Sequence, residues 1–328
     1  MRTSGMLEIL FLGTSAGMPS RQRMTSSIAV RDGRDVVLMD CGEGVQRQLM
    51  LSPFSFMKIK VVLITHMHGD HFFGLAPLLQ TMGMSGRNDP LTVIGPPGMI
   101  AGLEAMMGAT DGVVTYPLEL VESSGWDSYT VGTLRVETYP TDHGVPSIGF
   151  VVRGRDLPGR LDKEKAVSLG ITRGPDFARL KSGETVNGVT PDQVIGPTVK
   201  GLSVSYTGDT RACDSVAKAS EGVDVLIHEC TYGADDAAHA EEHNHSTSVQ
   251  AAETASKAGV RHLILTHMSN RYDDRSILSA EARSVFPCTD HADDMMLFEV
   301  TAKHVVSRNL NKFQQVGVGD HADDSPRL

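Results

Sequence analysis

Apolar residues along the first half of the chain form short blocks that end in Gly, Asp or another turn residue. Blocks rich in β-branched residues predict strands, here LEILFLG, SSIAVR, DVVLMDCG, KIKVVLIT, PLTVIGP, LELVES, TLRVETYP and SIGFVVRG. Apolar residues at helical spacing predict helices in FGLAPLLQTMGM and MIAGLEAMMGA. This half therefore combines many strands with a few helices.

Strand and helix blocks alternate again after residue 200. Strands are predicted in LSVSYTGDT, VDVLIHECTY, RHLILTHMS and MMLFEV, and helices in ACDSVAKASEG, after Thr247 and near residues 274–286. Thr247 and Gln250 form a capping-box pattern, in which each side chain satisfies a free N–H group at a helix start. Two strand-rich halves with helices between the strands predict a layered α/β protein.

Residues 153–200 interrupt this alternation. They contain Gly, Pro and charged residues without a strong period, so we expect an inserted, partly extended segment there. We predict a single domain over residues 1–300 that carries this insertion. Residues 301–328 are predicted to be a C-terminal extension with a disordered polar tail.

Composition indicates a soluble globular protein. The chain has 328 residues, of which 40% are hydrophobic and 21% charged, enough for a large core. It has no apolar run of about 18 residues and no signal-peptide layout at MRTSGMLEILFLG, which predicts no membrane span and a cytoplasmic location. Its four cysteines lack a C-x-x-C pair, which argues against a disulfide framework and a thiolate metal cage.

The net charge of −10 argues against a general nucleic-acid binder, because phosphate binding usually needs a basic surface. The segment 153–200 is different. It holds nine Lys or Arg residues and six Asp or Glu residues, a net charge of +3, which leaves −13 for the rest. A polyanion would therefore be attracted to this segment in particular.

The stretch THMHGDH carries four metal-binding side chains within six residues: His66, His68, Asp70 and His71. So many ligands this close cannot all reach one ion without strain, whereas two on each of two neighbouring ions is easier. The mixture of His and Asp suits Zn²⁺, with Mn²⁺ or Fe²⁺ as competitors.

Three further metal-binding side chains follow predicted strands: His143, Asp209 and His267. Ligands in α/β sheets collect outside such strand ends. A lone His or Asp is more often a surface or capping residue. Because such groups recur at four separate strand ends, we predict a site for two metal ions.

The H-x-H-x-D-H motif after a strand resembles the metallo-β-lactamase fold. The resemblance implies an αββα sandwich, with two sheets back to back, helices outside and metals at one edge. Finer matches over about residues 7 to 300 resemble the ribonuclease Z family of tRNA 3′-processing endonucleases. They are FLGTSAGMPS, DCGEGVQRQL, THMHGDHFFGLAPLLQTM, DHGVPSIGF, SYTGDTR, HECTY, HSTSVQAA and LTHMSNRY.

The family resemblance implies a ligand set for two zinc ions per subunit. It comprises His66, His68 and His143 for the first ion, Asp70, His71 and His267 for the second, and Asp209 as the bridging carboxylate.

The resemblance also implies a catalytic role for His245 and an orienting role for Glu229. Phosphodiester hydrolysis needs an activated nucleophile, charge neutralisation and a protonated leaving group. Two divalent ions about 3.5–4 Å apart can supply the first two requirements. His245 can protonate the leaving oxygen if Glu229 raises its basicity, and Asp70 can accept a proton from the water.

Two segments resemble the family's tRNA-binding parts. Residues 157–186 resemble a protruding flexible arm that grips the tRNA elbow, which implies substrate contacts by Arg160, Lys163, Lys165, Arg179 and Lys181. PSRQRM resembles a loop near the tRNA 3′ end, which implies phosphate contacts by Arg21 and Arg23. Arg21 and Met24 replace the usual Lys and Asn there, which bears on how precursors with an encoded CCA end are treated. The resemblance further implies a homodimer.

Three functions are compatible with these features. The first is a metal-dependent endoribonuclease that removes the 3′ trailer from precursor tRNA. The second is a hydrolase of the same fold that acts on small phosphodiesters, aryl sulfates or lactones. The third is a non-catalytic RNA-binding or metal-binding module, which the apparently complete ligand set disfavours.

Overall fold

A computed structural model describes residues 5–110 and 112–310. Fifteen strands occur in this part of the chain. They are β1 Met6–Gly13, β2 Ser27–Asp32, β3 Asp35–Met39, β4 Ile59–Leu63, β5 Leu91–Gly95, β6 Leu118–Glu122, β7 Ser128–Val131, β8 Leu134–Pro140, β9 Ile148–Arg153, β10 Ser203–Tyr206, β11 Val225–Glu229, β12 His262–Thr266, β13 Thr289–His291, β14 Met296–Thr301 and β15 Val305–Asn309.

Eleven α-helices connect these strands within the described residues. They are α1 Val45–Leu51, α2 Gly69–Phe72, α3 Leu75–Met84, α4 Met99–Ala109, α5 Lys163–Ser168, α6 Gly174–Lys181, α7 Pro191–Val194, α8 Asp214–Ala219, α9 Ala237–Glu242, α10 Ser248–Ala258 and α11 Ser276–Val285. In the described part of the chain, none of them is both long and apolar enough to cross a bilayer.

The strands form two sheets. One has the order β15-β14-β1-β2-β3-β4-β5-β6 and the other the order β13-β12-β11-β10-β9-β8-β7. Strand β1 shows how they are layered, since its side chains alternate between two cores. Leu7, Ile9 and Phe11 pack in the core between the sheets, whereas Leu10 and Leu12 pack under α1, α3 and α4.

The outer face of the second sheet is covered by α8, α10 and α11. Small side chains dominate this layer, with Ala251, Ala252 and Ala255 of α10 packed beside Leu278 of α11. The resulting order of layers is helices, sheet, sheet, helices, which confirms the predicted αββα sandwich. Helix α10 begins after Thr247, and its capping box with Gln250 is present as predicted.

Parallel strand pairing gathers the carboxyl ends of strands from both halves. Strands β3, β4 and β5 are parallel to one another, and so are β10, β11 and β12. Loops that leave such ends are the usual position for ligand-binding side chains in α/β proteins. This arrangement places the loops after β4, β10 and β12 within reach of each other.

The inserted segment is a small folded unit with three short helices, so the prediction of a partly extended segment is incomplete. Bridges between Leu157 and Val199 and between Leu161 and Ile195 close its base. Helices α5, α6 and α7 then enclose a separate apolar core of Leu161, Ala166, Ile171, Leu180, Val186, Val189 and Val194. Helices of four to eight residues are too short for a helical period to be recognised in the sequence.

The predicted domain boundary at residue 300 is also wrong. Strand β15 pairs with β14 in antiparallel register from Val305 to Asn309, so the first sheet extends past that boundary. The polar, exposed composition of β15 explains the error, because an edge strand buries little apolar surface. The predicted disorder of the tail concerns residues 311–328, which lie outside the described part of the chain.

Candidate active site

Seven metal-binding side chains converge from four loops. The loop after β4 supplies four of them, and the loops after β8, β10 and β12 supply one each: His66, His68, Asp70 and His71, then His143, Asp209 and His267. All seven are buried or half-buried except His68, which is exposed. The structure thus brings together every metal ligand expected from the sequence.

The first cluster contains three imidazoles. His68 Nδ1 lies 3.1 Å from His66 Nε2 and 3.2 Å from His143 Nε2. Asp209 Oδ2 lies 3.8 Å from His66 Nε2 and 3.7 Å from His143 Nε2. These four atoms therefore surround one point.

The second cluster shares Asp209 with the first. His71 Nε2 lies 3.3 Å from His267 Nε2 and 3.4 Å from Asp70 Oδ2, and the last two atoms are 3.3 Å apart. Asp209 contributes Oδ1 at 3.4 Å from His71 Nε2 and Oδ2 at 3.3 Å from His267 Nε2. One carboxylate thus lies between two sets of ligands.

These separations fit two tetrahedrally coordinated cations. A tetrahedron with metal–ligand bonds of about 2.0–2.1 Å has edges of about 3.3–3.4 Å, close to the spacing of the second cluster. Asp209 Oδ1 is buried and accepts no hydrogen bond from any residue in the described ranges. A buried carboxylate oxygen without a donor is costly unless a cation compensates it.

Hydrogen bonds fix which ring nitrogen faces the clusters. His71 Nδ1 donates to Asp40 Oδ2 at 2.6 Å, and His143 Nδ1 donates to the carbonyl oxygen of Asn244 at 2.9 Å. His267 Nδ1 lies 3.0 Å from Thr231 Oγ1, which itself donates to Glu229. Since Nδ1 carries the proton in each ring, the lone pair of Nε2 points into its cluster.

Asp40 is a functional residue that the sequence analysis did not single out. It accepts hydrogen bonds from His71, from Thr65 N and Oγ1, and from Tyr206 Oη at 2.8 Å. Its backbone has a φ of 57°, which is unfavourable for a residue other than glycine. In the sequence, Asp40 could have been found from its position directly after β3 in the DCGEG motif.

The carboxylates of both clusters are held ionised. Burial by itself would raise the pKa of Asp70, but His71 and His267, when they are protonated, outweigh it and lower that pKa below its usual range. Burial likewise opposes ionisation of Asp209, and His267 and His71 again lower its pKa well below normal. Such weak bases are better suited to metal binding than to proton transfer. The proton-accepting role of Asp70 stays a prediction.

His245 forms a pair with Glu229 beside the clusters. Its Nδ1 donates to Glu229 Oε1 at 2.7 Å, which leaves Nε2 to face the cleft. Burial would lower the pKa of His245, but the Glu229 carboxylate outweighs burial and raises it to about 9. Glu229 also accepts from Thr210 N and Thr231 N, which keeps this buried carboxylate in place. The pair can therefore present a proton to a bound group.

An open cleft gives access to both clusters and to His245. Its walls include Gly17, Asp70, Asp209, Tyr232 and His243. Gly17 N donates to Asp70 Oδ2 at 2.9 Å, so the loop of residues 14–24 borders the second cluster. Arg21 lies on this loop and is exposed.

The structure contradicts the predicted phosphate contact by Arg23. The residue is only 4% exposed, and its guanidinium donates to the carbonyl oxygen of Met268 at 2.9 Å and to Asn270 Oδ1 at 2.6 Å. Its charge and its donors are therefore used inside the protein. The sequence could not distinguish Arg23 from Arg21, since both lie in one polar stretch.

The predicted arm residues are exposed, and none of them lines the cleft as far as the structure is described: Arg160, Lys163, Lys165, Arg179 and Lys181. Arg179 forms an ion pair with Glu184 at 2.9 Å. Arg160 and Lys163 line one surface cavity together with the carboxylates of Asp162 and Glu164, and Lys165 lies two residues further along α5. Within the described residues these three form no ion pair, which leaves their charges available.

Replacement of Asp40 by Asn should weaken metal binding at the second cluster about 10- to 100-fold, because His71 loses the acceptor that orients its ring. Binding at the first cluster should change little. Stepwise zinc affinities measured with a competing dye would check this. Asp142→Asn is the matched control, since the exposed Asp142 side chain pairs with Arg211. Equal affinities for Asp40→Asn and the unaltered protein would refute the role of Asp40.

Comparison with known proteins agrees with this geometry. A family model described as a Beta-lactamase superfamily domain matches residues 36–268. Ribonuclease Z from Methanothermobacter thermautotrophicus is 42% identical, over 90% of this chain and 98% of that relative. Ribonuclease Z from Bacillus licheniformis is 40% identical, over 90% of this chain and 99% of that relative.

A solved structure shows the same architecture. The human tRNase Z short form is similar with a TM-score of 0.64 and 27% identity, over 88% of this chain and 98% of that one. Sequence identity, coverage and fold all lead to one assignment. The chain belongs to the ribonuclease Z family of the beta-lactamase superfamily.

Proposed function

We propose that this protein is a metal-dependent endoribonuclease that removes the 3′ trailer from precursor tRNA. The tRNA would keep a 3′-hydroxyl and the trailer would carry a 5′-phosphate. The observation that carries the proposal is the position of the His245–Glu229 pair beside two ligand clusters that share Asp209. Membership of the ribonuclease Z family supports precursor tRNA as the substrate.

The proposed cofactors are two Zn²⁺ ions per subunit, with Mn²⁺ or Fe²⁺ as alternatives. His66, His68 and His143 would hold one ion, and Asp70, His71 and His267 the other, with Asp209 between them. Two divalent cations, when bound, activate water and neutralise the charge of a phosphodiester. The near-tetrahedral spacing of the second cluster supports zinc over cations that prefer six oxygen ligands.

His245 would protonate the leaving oxygen of the tRNA nucleotide. Glu229 supports this role in two ways, since its charge favours the protonated ring and its hydrogen bond directs Nε2 into the cleft. Two divalent cations beside the ring would lower the pKa of His245 again and ease the release of its proton. A general acid of this kind contributes about 10²- to 10⁴-fold in rate.

The arm would bind the tRNA away from the cleft. Arg160, Lys163 and Lys165 supply charges that form no ion pair in the described part of the chain, and Lys181 lies exposed at the end of α6. Arg179 contributes less because Glu184 pairs with it. Arg21 would contact phosphate near the 3′ end, since its loop borders the cleft.

His245→Ala should retain two bound metal ions and lose cleavage of a trailer-bearing precursor tRNA by about 10²- to 10⁴-fold in kcat. Ligands of both clusters are intact in this variant, so metal content should not change. Precursor tRNA would be incubated with and without added Zn²⁺ or Mn²⁺, and the cut mapped by the ends it leaves. The exposed His304→Ala is the control.

Failure of the metal-loaded protein to cut precursor tRNA would exclude the proposed function. Hydrolysis of small phosphodiesters, aryl sulfates or lactones by that same preparation would then favour the second candidate. A preparation that binds metal and hydrolyses none of these substrates would indicate a binding module.

Replacing Arg160, Lys163 and Lys165 with Ser should raise KM for precursor tRNA about tenfold and leave hydrolysis of bis(p-nitrophenyl) phosphate unchanged. The slope of log affinity for tRNA against log salt should also fall by about 2 to 3, because about three phosphate contacts are lost. A control variant carries Ser at the exposed Arg34, Lys58 and Lys303, which removes the same charge outside the arm. Equal effects of both variants would contradict specific binding by the arm.

We also propose that the protein works as a homodimer in the cytoplasm. The support is the family resemblance, in which the arm of one subunit reaches the tRNA that the other subunit cuts. Sedimentation equilibrium should give twice the chain mass of 35.3 kDa. A monomer that cleaves precursor tRNA at full rate would refute this proposal.

A further inference from the structure

A buried arginine lies behind the second cluster, and the proposed chemistry does not use it. Arg23 is 4% exposed, and burial lowers the pKa of its guanidinium. Moving such a cation out of water is unfavourable unless its donors find acceptors. The acceptors that surround the Arg23 guanidinium therefore indicate the role of this residue.

The guanidinium of Arg23 binds the loop that follows β12. Nη1 donates to the carbonyl oxygen of Met268 at 2.9 Å, and Nη2 donates to Asn270 Oδ1 at 2.6 Å. Longer contacts of 3.4 Å reach the carbonyl oxygens of Ser269 and Thr14. One planar group with several fixed donors thus joins two segments that are about 250 residues apart in sequence.

Met268 directly follows His267, a ligand in the second cluster. His267 has a φ of 55°, a left-handed conformation that is strained for a residue other than glycine. Such a conformation persists only where the surroundings enforce it. The hydrogen bond from Arg23 holds the carbonyl group of Met268, one peptide beyond the strained residue, and Met268 N donates to the carbonyl oxygen of Thr14 at 3.3 Å.

The same arginine fixes the loop of residues 14–24, which reaches Asp70. Asn270 accepts from Ser15 Oγ at 3.1 Å and donates to the carbonyl oxygen of Met18 at 3.1 Å. Between these two residues, Gly17 N donates to Asp70 Oδ2 at 2.9 Å. Two ligands of the second cluster therefore depend on backbone that Arg23 and Asn270 hold.

Asp294 closes the base of this loop. It accepts from Thr14 Oγ1 at 2.8 Å and from Met24 N at 2.6 Å. The carbonyl oxygen of Met24 also accepts from Thr14 N at 3.0 Å and from Ser15 N at 2.9 Å. Both ends of the loop are thus anchored next to Arg23, whose position is well defined as a result.

We propose that Arg23 is a positioning residue for the second metal ion, which holds His267 and Asp70 in the geometry of ligands. The proposal rests on the two-metal site of the proposed function and extends it to a residue that touches neither the metal nor RNA. It also replaces the role of phosphate contact that the sequence suggested for Arg23.

The test compares Arg23→Gln, Arg23→Lys and Asn270→Ala with the control Gln22→Ala, an exposed residue of the same loop. Chelator-treated protein is titrated with Zn²⁺ against a competing dye, which gives two stepwise affinities. His71→Ala removes a side chain of the second cluster itself and so identifies which step belongs to that cluster. Thermal unfolding of each chelated variant reports any general loss of stability, and bis(p-nitrophenyl) phosphate gives kcat and KM without RNA.

Arg23→Gln should weaken the second-cluster step about 10- to 100-fold and leave the other step within threefold. Excess Zn²⁺ should restore kcat on the small diester. Arg23→Lys should be intermediate, since an ammonium cannot reach all four acceptors. Asn270→Ala should shift the same step in the same direction, and this variant keeps the test available if Arg23→Gln does not fold.

Two results would overturn the proposal. In the first, both zinc affinities are unchanged and only KM for precursor tRNA rises, as a phosphate contact predicts. In the second, both steps weaken together with thermal stability, as a general folding role predicts. If the unaltered protein binds two metals but does not cut precursor tRNA, the proposed function fails, while the affinity measurement still decides the role of Arg23.

Discussion

The site depends on holding electron-rich nitrogen and oxygen atoms close together although these atoms repel each other. Facing nitrogen lone pairs lie 3.1–3.3 Å apart between His66 and His68 and between His71 and His267. Carboxylates of Asp70 and Asp209 point into the same space. A cation bound at the centre of each cluster would turn this repulsion into attraction, so metal binding and the folded geometry of the loops would support each other.

The two packed sheets maintain strained backbone conformations in the loops of the site. Asp40, Asn244 and His267 all have positive φ values, and conformations of this kind cost about 1–3 kcal/mol each. Each of them serves the candidate site: Asp40 orients His71, the carbonyl oxygen of Asn244 accepts from His143, and His267 lies in the second cluster. Two sheets with apolar cores on both faces hold the strand ends rigidly enough to maintain this strain.

The proposed function separates substrate binding from chemistry in this architecture. The cleft carries the candidate metal ligands and the His245–Glu229 pair, whereas Arg160, Lys163 and Lys165, which form no ion pair in the described part of the chain, lie on a unit with its own core. A net charge of −10 is compatible with tRNA as a substrate because the basic residues are concentrated in that unit. The acidic remainder of the surface would disfavour binding of nucleic acid elsewhere.

The sequence by itself determined a layered α/β class, most of the longer elements and the seven candidate metal ligands, and the resemblance to the metallo-β-lactamase fold added the αββα order. Local signals can be recognised without knowledge of the fold. They include the alternating pattern of β1, the spacing of THMHGDH and the capping box at Thr247. Tertiary structure alone decided the rest. Asp40, the burial of Arg23, the folded arm and the edge strand β15 depend on neighbours distant in sequence, and local patterns carry no information about which residues those are.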